Sequence, residues 1–160
     1  MTVRVAASVE LNVDPQAAFA AVVDLPSQEK WIIATRLYPI AGQIAVPHVG
    51  SRLAAFTGFA SIGFLDTMVV TDYDPPWRWV TEHEGDFVQG AGILQVEPLA
   101  NGCRVTWAEE LELPFGFLGR LGWPLVRPIV RLGLLASLRR MARLVDRGLL
   151  PLTTSGTTAP

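Results

Sequence analysis

The chain has 160 residues, half of them hydrophobic and 18% charged, with a formal net charge of −2. That length supports one domain with a substantial core, and the one cysteine, Cys103, excludes an internal disulfide and points to a reducing, cytoplasmic setting. No Ser-His-Asp order, glycine-rich phosphate loop, paired-cysteine motif or histidine cluster is present, so hydrolase, nucleotide-dependent and metal-dependent chemistry lose their support.

In chain order, Val3, Val5, Ala7, Val9, Leu11 and Val13 alternate with polar or small residues, which predicts a long half-buried strand with its odd positions inward. Met1-Thr2-Val3-Arg4-Val5 already follows that period and lacks the apolar core of a secretory signal. Asp14-Pro15 is a helix N-cap followed by proline at the first helical position, predicting a short helix through Val23 and, after Leu25-Pro26-Ser27, a second through Trp31. Strands are then predicted over 34–42, 51–58, 64–73, 77–84, 87–97 and 103–113, punctuated by Asp74-Pro75-Pro76 and by Leu99-Ala100-Asn101-Gly102.

After the Pro114-Phe115-Gly116 break comes a long apolar, arginine-studded helix to about Arg147. Pro124 and Pro128 predict a separate turn or a kink between Gly119 and Pro128. Arg127, Arg131 and the two prolines interrupt the apolar run, which argues against a membrane span. Residues 1–113 hold 14 acidic and 6 basic side chains, whereas residues 114–160 hold seven arginines against Asp146 alone. The last helix is therefore a basic element on an acidic body. Helix-dipole complementarity and arginine stems covering apolar neighbours explain it without a partner, and a lipid-surface role is the alternative. No nucleic-acid motif accompanies it. The tail, 151–160, is polar and aperiodic and is read as disordered.

The order of strand, two short helices, six further strands and a long helix resembles the polyketide cyclase/dehydrase branch of the START-like, birch-allergen-like superfamily. Asp14-Pro15, Trp31, Val49-Gly50-Ser51-Arg52-Leu53, Tyr73-Asp74-Pro75-Pro76, Asn101-Gly102-Cys103-Arg104-Val105-Thr106-Trp107 and Leu113-Pro114-Phe115-Gly116 carry the resemblance over residues 3–148. Cys103 departs from it, since threonine is more usual there. The resemblance implies an α+β helix-grip fold: a seven-stranded curved antiparallel sheet wrapped around the C-terminal helix, with an apolar cavity between them. It implies a single ligand-binding domain over 1–150 for a lipid-like or aromatic polyketide molecule, with no cofactor.

Strand parity in that register places Asp66, Met68 and Val70 on one face, Trp79, Thr81 and His83 on another strand's inward face, and Val105, Trp107, Glu109 and Leu111 on a third. Asp66, His83 and Glu109 are thus candidate catalytic groups, because a carboxylate in apolar surroundings beside a histidine can move the protons of an aldol cyclisation and dehydration. Simple anchoring of a ligand's polar atom, or mutual satisfaction with no functional role, stays open for the same three residues, and a one-residue bulge would turn any of them outward. Trp31, Phe56, Met68, Trp79, Trp107 and Phe117 are the candidate ligand contacts, with core packing as their alternative. His48 reads as a loop residue, and Arg52 as facing water. Three functions remain open: binding of a hydrophobic small molecule, a cofactor-independent cyclase/aromatase, and a membrane-surface or protein-partner module using the basic helix.

Overall fold

The computed structural model describes residues 2–40, 47–59, 62–85, 88–113 and 117–152. Residues 41–46, the Pro114-Phe115-Gly116 break and the tail from 153 lie outside the described residues, as does the side chain of Phe117.

Seven strands form one antiparallel sheet: β1 (Thr2–Leu11), β2 (Thr35–Pro39), β3 (Arg52–Phe59), β4 (Ile62–Asp74), β5 (Arg78–His83), β6 (Gly90–Leu99) and β7 (Gly102–Glu112). Their order across the sheet is β1-β7-β6-β5-β4-β3-β2. Every pair except β1 with β7 joins chain neighbours, so the sheet is a meander closed at one side by the first strand. Helices α1 (Pro15–Val23) and α2 (Leu25–Trp31) follow β1, and α3 (Phe117–Asp146) follows β7. The Asp14 carboxylate accepts the Ala17 N–H at 3.0 Å with Pro15 in the first turn, so α1 starts where the cap chemistry requires.

The odd positions of β1 and β7 face inward, as their alternation demands, and join Leu53, Val70, Trp79, Leu94 and Val96 in one core. Onto this face pack Ala18, Phe19 and Val22 of α1, Trp31 of α2, and Leu134, Leu138, Met141 and Val145 of α3. The α3 spacings of three and four keep those four side chains in one stripe. Ser137, buried in that stripe, accepts the Ile33 N–H at 3.1 Å and ties α3 to the end of α2.

The first half of α3 is held less firmly, with Trp123 and Val130 partly buried against this core. Leu121, Leu125, Ile129 and Leu132 are 60%, 76%, 69% and 61% exposed. The helix runs continuously through Pro124 and Pro128, so no separate turn precedes it. By length and composition the segment Leu121–Asp146 is apolar enough to cross a membrane, with mean hydropathy 1.3 over its most apolar stretch, and little of that stretch is buried.

Candidate functional site

Among the described residues, three acidic or histidine side chains stand on the inward face among its apolar ones, and they belong to three different strands. Asp66 stands on β4, His83 on β5 and Glu109 on β7. In the β4–β5 ladder Met68 pairs with His83, so Asp66 lies one step further along the same face, opposite the continuation of β5 at Gly85. The β4 ladder does slip, between Val70 and Asp72, at the end of the strand away from Asp66. The stretch from Asp66 to Val70 therefore keeps a single parity.

His83 Nδ1 hydrogen-bonds to Asp66 Oδ2, and His83 Nε2 lies 3.3 Å from Glu109 Oε2. Both ring nitrogens face carboxylate oxygens, and an oxygen of an ionised carboxylate only accepts. The arrangement is satisfied when the ring carries two protons and donates from each nitrogen. Burial by itself lowers the histidine pKa, but the hydrogen bonds to Asp66 and Glu109 and the two nearby negative charges outweigh it and push His83 up to about 9. At neutral pH the cluster is an imidazolium clamped by two carboxylates, with side-chain exposures of only 10%, 6% and 13% for His83, Asp66 and Glu109.

Two glycines make that closeness sterically feasible. Glu109 and His83 are separated by β6, which places Gly92 opposite both Thr81 and Glu109. A methyl group at Gly92 would sit 3.2 Å from Thr81 Oγ1 and 3.3 Å from Glu109 Oε1, so the bare backbone leaves the lane along which the Glu109 carboxylate crosses β6. At Gly85 a methyl group would come within contact distance of Asp66 Oδ1 and force that carboxylate to move. Trp107, two residues before Glu109 on the same face, donates its indole N–H to Glu109 Oε1 at 2.7 Å. Both Glu109 oxygens are therefore engaged and the carboxylate is held in one orientation. Asp66 Oδ1 is buried with no hydrogen-bond partner among the described residues.

Of the aromatic candidates, Trp31 is fully buried and meets Trp107 edge-on, with ring centroids 5.9 Å apart. Trp79 is 4% exposed in the same core, Met68 packs against that core, and Phe56 is half-buried on β3. The indole N–H groups of Trp31 and Trp79 are buried and have no partner among the described residues. Arg52 faces outward and pairs with Glu84 at 3.0 Å, and His48 is exposed, its ring against the Ser51 hydroxyl at 3.1 Å. One open space reaches the cluster and another lies further along β7. An apolar hollow of about 300 Å³ separates the first half of α3 from β7, lined among others by Leu111, Leu113, Trp123 and Val130. Leu111 follows Glu109 on the same face of β7. A more polar groove of about 420 Å³ reaches His83 itself, together with Gly85 and Gly90. Among the described residues no group of three His, Cys, Asp or Glu side chains is placed to hold a metal ion.

The profile of the family described as polyketide cyclase/dehydrase and lipid transport matches residues 2–146. The chain belongs to that family. No curated protein matches it significantly by sequence. Among solved structures, the family fold recurs in TTHA0849 from Thermus thermophilus, with a TM-score of 0.72 and 16% identity over 91% of this chain and 99% of that one. It recurs in the Polyketide_cyc-like protein Cgl2372 from Corynebacterium glutamicum, with a TM-score of 0.63 and 16% identity over 93% of this chain and 94% of that one. Ms6760 from Mycobacterium smegmatis gives a TM-score of 0.64 at 12% identity over 89% and 90%. At these identities the likeness shows the fold alone: the α+β helix-grip arrangement, a curved antiparallel sheet with a long C-terminal helix. Parity along β4, β5 and β7, taken in the register that the resemblance implies, singles out Asp66, His83 and Glu109 as inward-facing. Gly85 and Gly92 carry no signal of this role in the sequence, because their function is to be small next to residues on other strands. Trp107 read as a wall, although its spacing of two from Glu109 is a signal for the hydrogen bond.

Proposed function

We propose that this family member binds a hydrophobic small molecule, lipid-like or an aromatic polyketide, between the sheet and the first half of α3, with the ligand's polar end at Asp66, His83 and Glu109. The observation that carries this reading is the buried charged trio on the inward face, with an apolar hollow that begins at Leu111, two residues along β7 from Glu109. Removing three ionisable groups from water is costly, and a face that served only as a core is filled more stably by aliphatic side chains of the same volume. A charged cluster beside apolar walls suits a ligand with a carbonyl or hydroxyl at one end and hydrocarbon at the other. Leu111, Leu113, Trp123 and Val130 supply the apolar walls. Native mass spectrometry of freshly purified protein, before and after organic extraction, tests it. An apolar adduct that extraction removes is expected. A protein that carries none, and whose tryptophan fluorescence is unchanged by added fatty acid or aromatic polyketide, would refute the reading.

A second reading, cofactor-independent cyclisation, is favoured by the unbroken hydrogen-bond chain from Asp66 through His83 to Glu109. In it the Glu109 carboxylate takes a proton from a methylene between two ketones, and the resulting carbanion bonds to a distant carbonyl carbon. The alkoxide so formed takes a proton from the His83 imidazolium. Neutral His83 then takes a second methylene proton while the protonated Glu109 gives its proton to the departing hydroxyl, which leaves as water, so both side chains return to their starting states. Turnover of a poly-β-ketone by the wild type and its loss in Glu109→Gln, with ligand still retained, separates this reading from simple binding.

A further inference from the structure

On the side of α3 that faces away from the core, Leu121, Leu125, Ile129 and Leu132 continue at helical spacing into Arg139 and Arg143, with Arg140 and Arg147 alongside. One exposed stripe, about 33 Å long from Leu121 to Arg143, is leucine and isoleucine over its first half and arginine over its second. Among the described residues Arg127, Arg131, Arg139, Arg140, Arg143 and Arg147 are all exposed and none forms an ion pair, and the helix has one acid, Asp146. A groove of about 1150 Å³ beside the second half is floored by Ile33, Leu132 and Leu135 and rimmed by Arg139, Arg140 and Arg143.

We infer that this stripe is a docking surface for a membrane carrying anionic lipid. A lipid surface offers both halves their complement at once: hydrocarbon at the acyl boundary for the leucines, phosphate for the arginines, whose long stems let the charge stay among headgroups. A second copy does not. Packed antiparallel, two stripes would lay leucines over arginines, and packed parallel they would set arginine against arginine. The helix lies on the membrane and does not cross it, because Leu134, Leu138, Met141 and Val145 are committed to the protein core. The first half of α3 also covers the apolar hollow on its opposite, sheet-facing side. The inference does not depend on what the hollow holds.

Co-sedimentation with phosphatidylcholine vesicles, with and without about 30% phosphatidylserine, tests it on the full chain at roughly 0.1 M and 0.5 M salt. Binding is expected only to the anionic vesicles, weakening as salt rises. Leu125→Glu with Ile129→Glu should lower binding at least about a hundredfold, since each removes a side chain from hydrocarbon. Arg139→Gln with Arg143→Gln should lower it roughly thirtyfold and flatten the salt dependence, at about fivefold per arginine. All four sites are exposed, so melting temperatures should match the wild type. Absence of sedimentation, equal binding to neutral vesicles, or unaltered binding by both double variants overturns the inference. So does a dimer in light scattering that Leu125→Glu with Ile129→Glu dissolves while vesicle binding is absent, which would assign the stripe to a second copy.

Discussion

The charged state of His83 makes the strongest quantitative claim. In the unfolded chain the ring loses its proton near 6.5, while in the fold it holds it to about 9. Between those values the native state binds one more proton than the unfolded state, so stability is fully present below about 6.5 and falls by about 1.4 kcal/mol for each pH unit above it. The full loss by pH 9 is about 3 kcal/mol. With a urea dependence of about 2 kcal/mol per molar, the unfolding midpoint should drop by about 1.5 M between pH 6.5 and 9. Urea titrations followed by tryptophan fluorescence would measure it. Cys103, whose thiol is pushed up first by burial and then by Asp14, adds a loss of its own above the ordinary thiol range, so the decisive comparison is with His83→Gln over pH 6.5 to 8. That variant should be less stable at pH 6.5 by about 3 kcal/mol, since two buried carboxylates lose their cation, and its midpoint should be level across the window. A wild-type midpoint that does not move, or one that moves equally in His83→Gln, would refute the assignment of a buried imidazolium.

Three further outcomes follow from the same geometry. Gly85→Ala should displace the Asp66 carboxylate, and in an NMR titration the His83 pKa should fall toward 6.5; an unchanged value would show that Asp66 does not set it. Glu109→Gln should reduce any cyclase turnover by about a hundredfold or more while leaving retention of an apolar adduct intact, as read by kinetics and native mass spectrometry side by side. Trp31→Ala should cost about 3–5 kcal/mol in thermal or urea unfolding, because a fully buried indole leaves a cavity; a change below about 1 kcal/mol would contradict its place in the core.

Much of this molecule is written in local patterns. Asp14-Pro15 specifies where α1 begins, because a cap and a fixed φ act within four residues, and the alternation of β1 and β7 specifies which side chains face in, because the pleat has a period of two. That same parity put Asp66, His83 and Glu109 on inward faces, and it held because the bulge in β4 falls beyond Val70. Tertiary structure alone decided how near the three come to one another. Glu109 meets His83 across an intervening strand where residue 92 has no side chain to crowd the carboxylate, a relation between positions that are neighbours in the sheet and distant in the chain. It also decided the fate of α3. Its two halves read alike as apolar and basic, and only packing against the sheet distinguishes Leu138, fully buried, from Leu125, left at the surface. A helix's own sequence fixes which residues share a face, whereas the length of that face a partner covers depends on where the partner ends.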